Sequence, residues 1–224
     1  MFEVTYLQTE KMNNTVLILI RHGETLWNTQ LRMQGSLDSD LTPKGESQIK
    51  ALGEWMKEVP FDYLYCSDSG RARKTAEAIS KNTGHTLNVE ERLREKDLGI
   101  FEGLTSEEAR ERYPETFQLF KTAGANYVID QGESTQQLLD RALGSIEEIR
   151  IHHSQKVTVL VTHGGVVRVL MKHVLGVPLD APTQFMISNT GIFRLVWRDK
   201  WIVAEMGAVP HLEKKNNVPE SKLV

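Results

Sequence analysis

Three short segments of the sequence combine side chains that can contact an anion with glycine and the expected start of a helix. They are Arg21-His22-Gly23, Ser67-Asp68-Ser69-Gly70-Arg71 and Thr162-His163-Gly164-Gly165. Glycine lets the backbone approach a ligand closely, and the unpaired amides at a helix N-terminus attract negative charge. The guanidinium fork of arginine matches the oxygens of a phosphoryl group. The arginines and histidines of these segments therefore predict a phosphate site.

Phosphoryl chemistry at such a site would use these groups directly, because it needs in-line positioning and charge stabilisation. The charges of Arg21 and Arg71 would disfavour protonation of the neighbouring His22. The second ring nitrogen of His22 would need a backbone acceptor to fix the tautomer. A protonated His163 would hold a non-bridging oxygen as charge develops.

The pattern of apolar residues predicts the strands and helices that must position these groups. Short apolar runs at 16–20, 61–66 and 157–162 predict buried strands of a mainly parallel sheet. Each of the three segments follows one of these strands. In open α/β sheets ligands bind beyond the carboxyl ends of the strands. An α/β fold would therefore bring the segments to one edge of the sheet although they lie far apart in the sequence.

Helix signals alternate with the strands. Thr42 followed by Pro43 marks a helix start. Capping boxes begin at Thr105 and Ser134, and Pro114 interrupts the first of these two helices. Further helices are predicted from about 70 to 81 and from 166 to 175, and a hairpin from the strands 192–197 and 201–206.

The sequence resembles the histidine phosphatase superfamily, also called the phosphoglycerate mutase-like family, over about 15–205. Six ordered motifs carry this resemblance. Two small departures are Ser69, where the family often has Leu, and Asp40, where it often has Pro; we expect little consequence from either. The motifs are Arg21-His22-Gly23-Glu24-Thr25 with Trp27-Asn28; Gln34-Gly35 with Asp38, Leu41-Thr42 and Gly45; Ser67-Asp68 with Arg71-Ala72 and Thr75-Ala76; Leu93-Arg94-Glu95 with Gly99 and Glu102-Gly103; Gly132-Glu133-Ser134; and Thr162-His163-Gly164-Gly165.

The resemblance implies a three-layer α/β/α fold with a mainly parallel central sheet and a small helical cap at about 102–132. It implies that His22 is the nucleophile that becomes phosphohistidine, and that Glu95 is the general acid and base of the phosphatase-type members. On charge alone Glu95 would be assigned to the surface, among many charged neighbours. The catalytic residues that it implies are His22, Glu95, His163, Arg21 and Arg71. The implied phosphate- or substrate-binding residues are Arg21, Asn28, Gln34, Gly35, Arg71, His163 and Gly164.

The resemblance favours hydrolysis of phosphate monoesters of a small metabolite. Cofactor-dependent mutases carry a longer insert between the acid and the second histidine, with adjacent arginines that hold a carboxylate. The corresponding stretch here has no adjacent pair among its arginines, and Thr162-His163-Gly164-Gly165 looks more like the phosphatases. Two alternatives stay open: a phosphoglycerate mutase-like phosphotransferase, and a phosphate-binding regulatory protein with little turnover.

Composition excludes several other classes. The formal charge of −3 and the absence of a basic stripe argue against a nucleic-acid partner. The single cysteine, Cys66, excludes an intramolecular disulfide and a Cys-rich zinc site. No metal or other cofactor is expected, since arginine and histidine supply the positive charge. The N-terminus lacks an apolar signal region, and no apolar stretch approaches the ~18 residues of a membrane span, so we expect a cytoplasmic protein with no membrane partner.

The domain prediction is a single domain at 15–206, with an N-terminal extension at 1–14 and a polar tail at 207–224. The substrate and the oligomeric state stay open. The aromatic residues of the cap would either form an apolar wall for a lipophilic ester or pack on one another; they are Phe101, Tyr113, Phe117, Phe120 and Tyr127. The histidines outside the proposed site are expected to be solvated or structural; they are His85, His152, His153, His173 and His211.

Overall fold

The computed structural model describes residues 14–213, which form an α/β fold. Its strands are β1 (Thr15–Arg21), β2 (Tyr63–Cys66), β3 (Leu87–Val89), β4 (Val157–Thr162), β5 (Ile192–Arg198) and β6 (Lys200–Ala208). Its helices are α1 (Leu26–Thr29), α2 (Pro43–Met56), α3 (Gly70–Thr83), α4 (Ser106–Arg112), α5 (Pro114–Thr122), α6 (Thr135–His152) and α7 (Gly164–Leu175).

The strands form one sheet in the order β3-β2-β4-β1-β5-β6. The first four strands of this order pair in parallel, whereas β5 and β6 are antiparallel to their neighbours. The mainly parallel sheet and the hairpin that the sequence predicts are both confirmed. β1 lies between β4 and β5 in the sheet, which explains why its residues from Thr15 to Ile20 are all buried.

Helices cover both faces of the sheet and complete three layers. Successive side chains of a strand point to opposite faces, so Ile18 and Ile20 of β1 join one core and Leu17 and Leu19 join the other. The first core contains the apolar stripes of α2 and α3, and the second contains those of α6 and α7. The predicted α/β/α architecture is therefore confirmed.

The cap has a small core of its own. Phe101 is fully buried, and its ring lies 5.9 Å from that of Phe117 and 5.5 Å from that of Phe120. Ala109 of α4 and Ile129 complete this cluster. The capping box at Thr105 and the helix break before Pro114 are present as predicted.

Two elements differ from the sequence prediction. β3 is a strand of three residues at the edge of the sheet, half-buried and without an apolar run, so the pattern gave no signal for it. β6 runs from Lys200 to Ala208, so it extends two residues beyond the predicted end of this strand at 206.

The chain beyond β6 is held by contacts that lie far away in the sequence. A 3₁₀ turn at Pro210–Leu212 places His211 Nε2 2.8 Å from Thr190 Oγ1, and its ring lies 6.3 Å from that of Trp55. Of the predicted extension at 1–14 and the predicted tail at 207–224, residues 1–13 and 214–224 lie outside the described residues. Among the residues that are described, no helix combines the length and hydropathy needed to cross a bilayer.

Candidate active site

Three adjacent strands bring the predicted groups to one edge of the sheet. Arg21 is the last residue of β1, and His22 follows it. His163 follows β4 and is the N-cap residue of α7. Arg71 lies in the first turn of α3, which comes directly after β2. The convergence that parallel-strand topology predicts is therefore present.

His22 is held as a neutral imidazole with one nitrogen free. Its side chain is buried, and Nδ1 donates a hydrogen bond to the carbonyl oxygen of Gly23 at 2.8 Å. Because a carbonyl only accepts, this bond fixes the tautomer and leaves a lone pair on Nε2. Burial, and then the charges of Arg21 and Arg71, lower the pKa of His22 well below its usual value.

Gly23 is required at this turn by close packing. A Cβ at this position would lie 2.7 Å from Cγ2 of Ile49, which is buried in α2. The amide of Gly23 donates to Thr75 Oγ1 at 3.1 Å, and that hydroxyl donates to the carbonyl oxygen of Arg71 at 2.8 Å. The turn that carries His22 is thus tied to the helix that carries Arg71.

Arg71 joins the helix α3 to the loop at 34–38. Its guanidinium is buried and donates to the carbonyl oxygens of Leu37 and Gly35 at 2.6 and 2.9 Å, and to the carboxylate of Asp38 at 2.8 Å. The Asp38 carboxylate also accepts from the amide of Gly70 at the start of the helix. Arg71 therefore shapes this loop as well as contributing positive charge.

Arg21 is held by the backbone of Ile187. Its Nη1 donates a hydrogen bond to the carbonyl oxygen of that residue at 2.6 Å. Burial lowers the pKa of Arg21, and the nearby positive charges of Arg168 and Arg71 lower it further. The negative charge of Glu95 raises the pKa in part. Sequence patterns gave no signal for Ile187, because it contributes only a backbone oxygen.

His163 is fully buried, and its ring centroid lies 5.3 Å from that of His22. Nε2 lies 2.9 Å from Ser67 Oγ and 3.0 Å from Ser69 Oγ. Burial, and then the charge of Arg71, lower the pKa of His163 well below its usual value, which favours the neutral ring. Ser69, expected to matter little, in fact contacts this histidine.

Glu95 belongs to the site, and the surface assignment based on its charged neighbours is wrong. Its carboxylate accepts from the amides of Lys96 and Gly165 at 2.8 and 2.9 Å. A Cβ at Gly165 would overlap Oε1 of Glu95, so a side chain at this position would displace the carboxylate.

Arg141 fixes the backbone around Glu95. It donates to the carbonyl oxygens of Arg94 and Glu95 at 2.7 and 2.8 Å, and it pairs with both carboxylate oxygens of Glu133. Sequence patterns gave no signal for this role of Arg141, because it lies 46 residues from Glu95 in the chain.

The remaining predicted residues surround His22. Gln34 Nε2 donates to Thr25 Oγ1 at 2.9 Å, and Asn28 Oδ1 accepts from Asn189 Nδ2 at 3.1 Å. Asn189 also donates to the carbonyl oxygen of His22 at 3.0 Å, a contact that the sequence did not indicate. Gly164 adjoins Arg21, since a Cβ at this position would be in ordinary van der Waals contact with Nε of that arginine, at 3.5 Å.

These groups face a cavity of about 420 Å³, which all the predicted site residues except His163 line. Within the described chain, four atoms of the site are buried without a hydrogen-bond partner: Arg21 Nε, Arg71 Nε, His163 Nδ1 and Gln34 Oε1. Such unpaired buried groups are rare in folded proteins and call for an explanation. A ligand rich in acceptor oxygens, such as a phosphoryl group, would satisfy the donors among them.

The other reactive side chains are accounted for by packing. Burial raises the pKa of the Cys66 thiol to about 11, which suits a small apolar core residue. His85 stacks on Phe61 at 3.8 Å between ring centroids, and His153 bonds to the hydroxyl of Tyr65. In the range 14–213 no cluster of three or more His, Cys, Asp and Glu side chains is arranged to hold a metal ion.

Comparison with known proteins agrees with this geometry. The sequence pattern of the histidine phosphatase superfamily (branch 1) matches residues 17–207. The chain belongs to this superfamily. It is 33% identical over 216 residues to phosphoglycerate mutase-like protein 4 of Arabidopsis thaliana, an alignment that covers 95% of this chain and 93% of the relative.

Solved structures of the superfamily superpose closely on this chain. Bacillus stearothermophilus YhfR gives a TM-score of 0.81 at 36% identity, covering 89% of this chain and all of that one. A variant of phosphoserine phosphatase from Entamoeba histolytica, in complex with phosphoserine, gives 0.80 at 27% identity with the same coverage. The superfamily member described here therefore has phosphatases among its structural neighbours.

Proposed function

We propose that this protein hydrolyses phosphate monoesters of small metabolites through a phosphohistidine at His22. The observation that carries the proposal is the group of buried, unpartnered donors around that residue, on Arg21, Arg71 and His163. They surround a histidine whose tautomer is fixed by Gly23, and they match the oxygens of a phosphoryl group.

The first step is attack by the lone pair of His22 Nε2 on phosphorus. An N–P bond forms as the ester P–O bond breaks, and the electron pair of that bond goes to the leaving oxygen. The carboxyl group of Glu95 donates a proton to this oxygen, so the product is an alcohol. Arg21 and Arg71 stabilise the charge on the non-bridging oxygens, and His163 donates to one of them.

The second step regenerates the enzyme. Glu95, now a carboxylate, accepts a proton from a water molecule whose oxygen attacks the phosphorus of phosphohistidine. The N–P bond breaks, its electron pair returns to Nε2 of His22, and inorganic phosphate leaves. The amides of Lys96 and Gly165 hold the carboxylate of Glu95 in place through both steps.

The size of the site supports a small substrate. A cavity of about 420 Å³ accommodates a phosphorylated metabolite, and the related phosphoserine phosphatase binds such a compound. We also propose a cytoplasmic location, because the sequence has a single cysteine and that residue is buried as a free thiol.

The proposal is tested with the purified protein and p-nitrophenyl phosphate, followed by sugar phosphates, nucleotides and phosphoglycerates. We expect turnover, an acid-labile phosphoenzyme during it, and loss of both in His22→Ala. His173→Ala, which replaces an exposed histidine of α7, is the matched control and should behave as the wild type. Full turnover in His22→Ala would overturn the mechanism.

Mutase activity is the second candidate, because the Arabidopsis relative is named for it. Mutase and phosphatase activity are distinguished by supplying 3-phosphoglycerate with a trace of bisphosphoglycerate. We expect release of phosphate, whereas rapid isomerisation to 2-phosphoglycerate would assign a mutase. Absence of turnover on every ester, without a trapped phosphohistidine, would instead assign a phosphate-binding protein.

A further inference from the structure

The loop before β5 contacts the backbone of the proposed nucleophile. The side chain of Asn189 is half-buried, and its Nδ2 donates to the carbonyl oxygen of His22 at 3.0 Å. The amide of Thr190 donates to the carbonyl oxygen of Arg21 at 3.0 Å and to that of His22 at 3.3 Å. Two consecutive residues of this loop therefore hold the backbone at the point where the chain leaves β1.

Thr190 has a backbone conformation that β-branched residues rarely adopt. Its φ is +56°, in the left-handed region, and the residue is fully buried. Its hydroxyl donates to the carbonyl oxygen of Asn189 at 2.7 Å and accepts from Nε2 of His211 at 2.8 Å. Strained backbone persists only where its surroundings hold it, and it is concentrated at functional sites. A function of the turn that presents Asn189 would account for the strain at Thr190.

The Asn189 amide has a second acceptor, which is the side chain of Asn28. Asn189 Nδ2 lies 3.1 Å from Oδ1 of Asn28, and the backbone amide of Thr25 donates to the same oxygen at 3.1 Å. An amide oxygen has two lone pairs, so these two donors occupy both of them. Nδ2 of Asn28 has no hydrogen-bond partner among residues 14–213. It is therefore the group of this side chain that is left to bind a ligand.

The orientation of both side-chain amides follows from backbone groups that have only one role. A backbone N–H can only donate, and a carbonyl oxygen can only accept. The amide of Thr25 therefore requires the oxygen of Asn28, and the carbonyl of His22 requires the nitrogen of Asn189. If the Asn28 amide were reversed, its NH2 group would face the amide of Thr25 and the NH2 group of Asn189. The network permits one arrangement, and Asn28 lines the active-site cavity in it.

We infer that Asn189 is a positioning residue of the phosphoryl site: it holds the Asn28 side chain with its NH2 group toward the phosphoryl oxygens. The inference rests on the proposed function. Asn189 does not line the active-site cavity, so it acts through Asn28 rather than on the substrate. A donor that is already oriented loses less conformational entropy when it binds an oxyanion, and its fixed orientation therefore strengthens binding.

The test measures binding of orthovanadate, an oxyanion that resembles a phosphoryl group, by calorimetry, and kcat/KM for p-nitrophenyl phosphate. Asn28→Ala removes the donor, and Asn189→Ala removes the residue that orients it. We expect both quantities to fall by about tenfold in Asn28→Ala and by about fivefold in Asn189→Ala. The variant with both changes should bind no more weakly than Asn28→Ala, because the contribution of Asn189 passes through Asn28. The carbonyl of His22 keeps the amide of Thr190 as a donor throughout.

Asn88→Ala is the matched control. Asn88 is half-buried in β3, away from the cavity, and its Nδ2 likewise donates to a backbone carbonyl oxygen, that of Leu64, at 3.1 Å. This variant should bind orthovanadate as the wild type does. If Asn189→Ala does not fold, Asn189→Gln, which moves the amide by one methylene group, replaces it in the same comparison with Asn28→Ala.

The outcomes separate this inference from the proposed function. A purely structural role of Asn189 would lower the unfolding free energy and leave orthovanadate binding unchanged, and that result overturns the inference. So do losses that multiply in the double variant, since the two residues then act independently, and an equal loss in Asn88→Ala. Absence of hydrolysis of every ester contradicts the proposed function, and orthovanadate binding then still tests Asn189. A wild-type protein that neither hydrolyses esters nor binds orthovanadate contradicts both.

Discussion

The carboxyl end of the sheet and the cap border the same cavity, but they hold their functional groups differently. At the end of the sheet His22, His163 and Arg71 are buried and fixed by hydrogen bonds to backbone and hydroxyl groups. The cap packs around Phe101 and presents the exposed Lys121 to the cavity. Buried groups act in a low dielectric and exposed charges are screened by water, so the first region suits chemistry and the second suits choice of substrate.

After His22→Ala, Glu95→Gln gives the largest expected loss of turnover, because it removes the proton donor while keeping the shape of the side chain. Turnover of alkyl phosphates should fall by about 10²–10⁴-fold. The loss in the phosphorylation step should be smaller for p-nitrophenyl phosphate, since its leaving group needs no proton. Glu91→Gln, a nearby exposed carboxylate, is the control. If the rate of the phosphorylation step fell equally for alkyl phosphates and for p-nitrophenyl phosphate, Glu95 would not be the proton donor.

Phe101→Ala should disrupt the cap without changing the end of the sheet. Removing this fully buried ring costs about 3–5 kcal/mol of unfolding free energy. Urea unfolding measures this loss, and we expect KM to rise more than kcat falls. Leu119→Ala, at an exposed position of α5, should have little effect on either quantity. A Phe101→Ala enzyme with an unchanged KM would show that the cap does not contribute to substrate binding.

Acid should destabilise the sheet region rather than the cap. The cap at 102–132 contains no histidine, so every histidine that acid can protonate lies outside it. Burial lowers the pKa of His211 to about 4, whereas its unfolded value is about 6.5. The unfolded chain therefore takes up the proton first, and stability is lost as pH falls below about 6.5 toward 4.

We expect His211→Gln to remove about 1 kcal/mol of the stability loss between pH 7 and pH 5, after allowance for partial exposure. Urea unfolding at the two pH values measures the difference. His173→Gln, at an exposed position, should retain the full loss. If wild type and His211→Gln lose stability equally, His211 does not carry the acid sensitivity, and the other histidines whose pKa burial lowers do; they are His22, His153 and His163.

Ser69→Ala gives the smallest expected effect, about a threefold decrease in kcat, because Ser67 still contacts Nε2 of His163. The double replacement of Ser67 and Ser69 by Ala should cost more than the sum of the single changes, since the two hydroxyls share one nitrogen. Ser80→Ala, whose hydroxyl bonds to the carbonyl oxygen of His85, is the control. Additive losses would show that the two serines act on His163 independently.

Local patterns were sufficient to predict most of the fold. The apolar run in β1, the capping boxes at Thr105 and Ser134, and Pro43 at a helix start depend on residues within a few positions of one another. β3 was missed because a short edge strand buries too little apolar surface to leave a pattern.

The amino-acid sequence alone was enough to predict that His22, His163, Arg21 and Arg71 meet at one edge of a parallel sheet, because each lies at or just after the end of a recognisable strand and the carboxyl ends of parallel strands share an edge. Glu95 was predicted from the family resemblance, whereas its charged neighbours alone suggested the surface; the tertiary structure shows Arg141 and Gly165 holding it from distant parts of the chain. Only the tertiary structure revealed the contact between Ser69 and His163. Hydrogen bonds formed across a fold leave no periodicity in the sequence that encodes them.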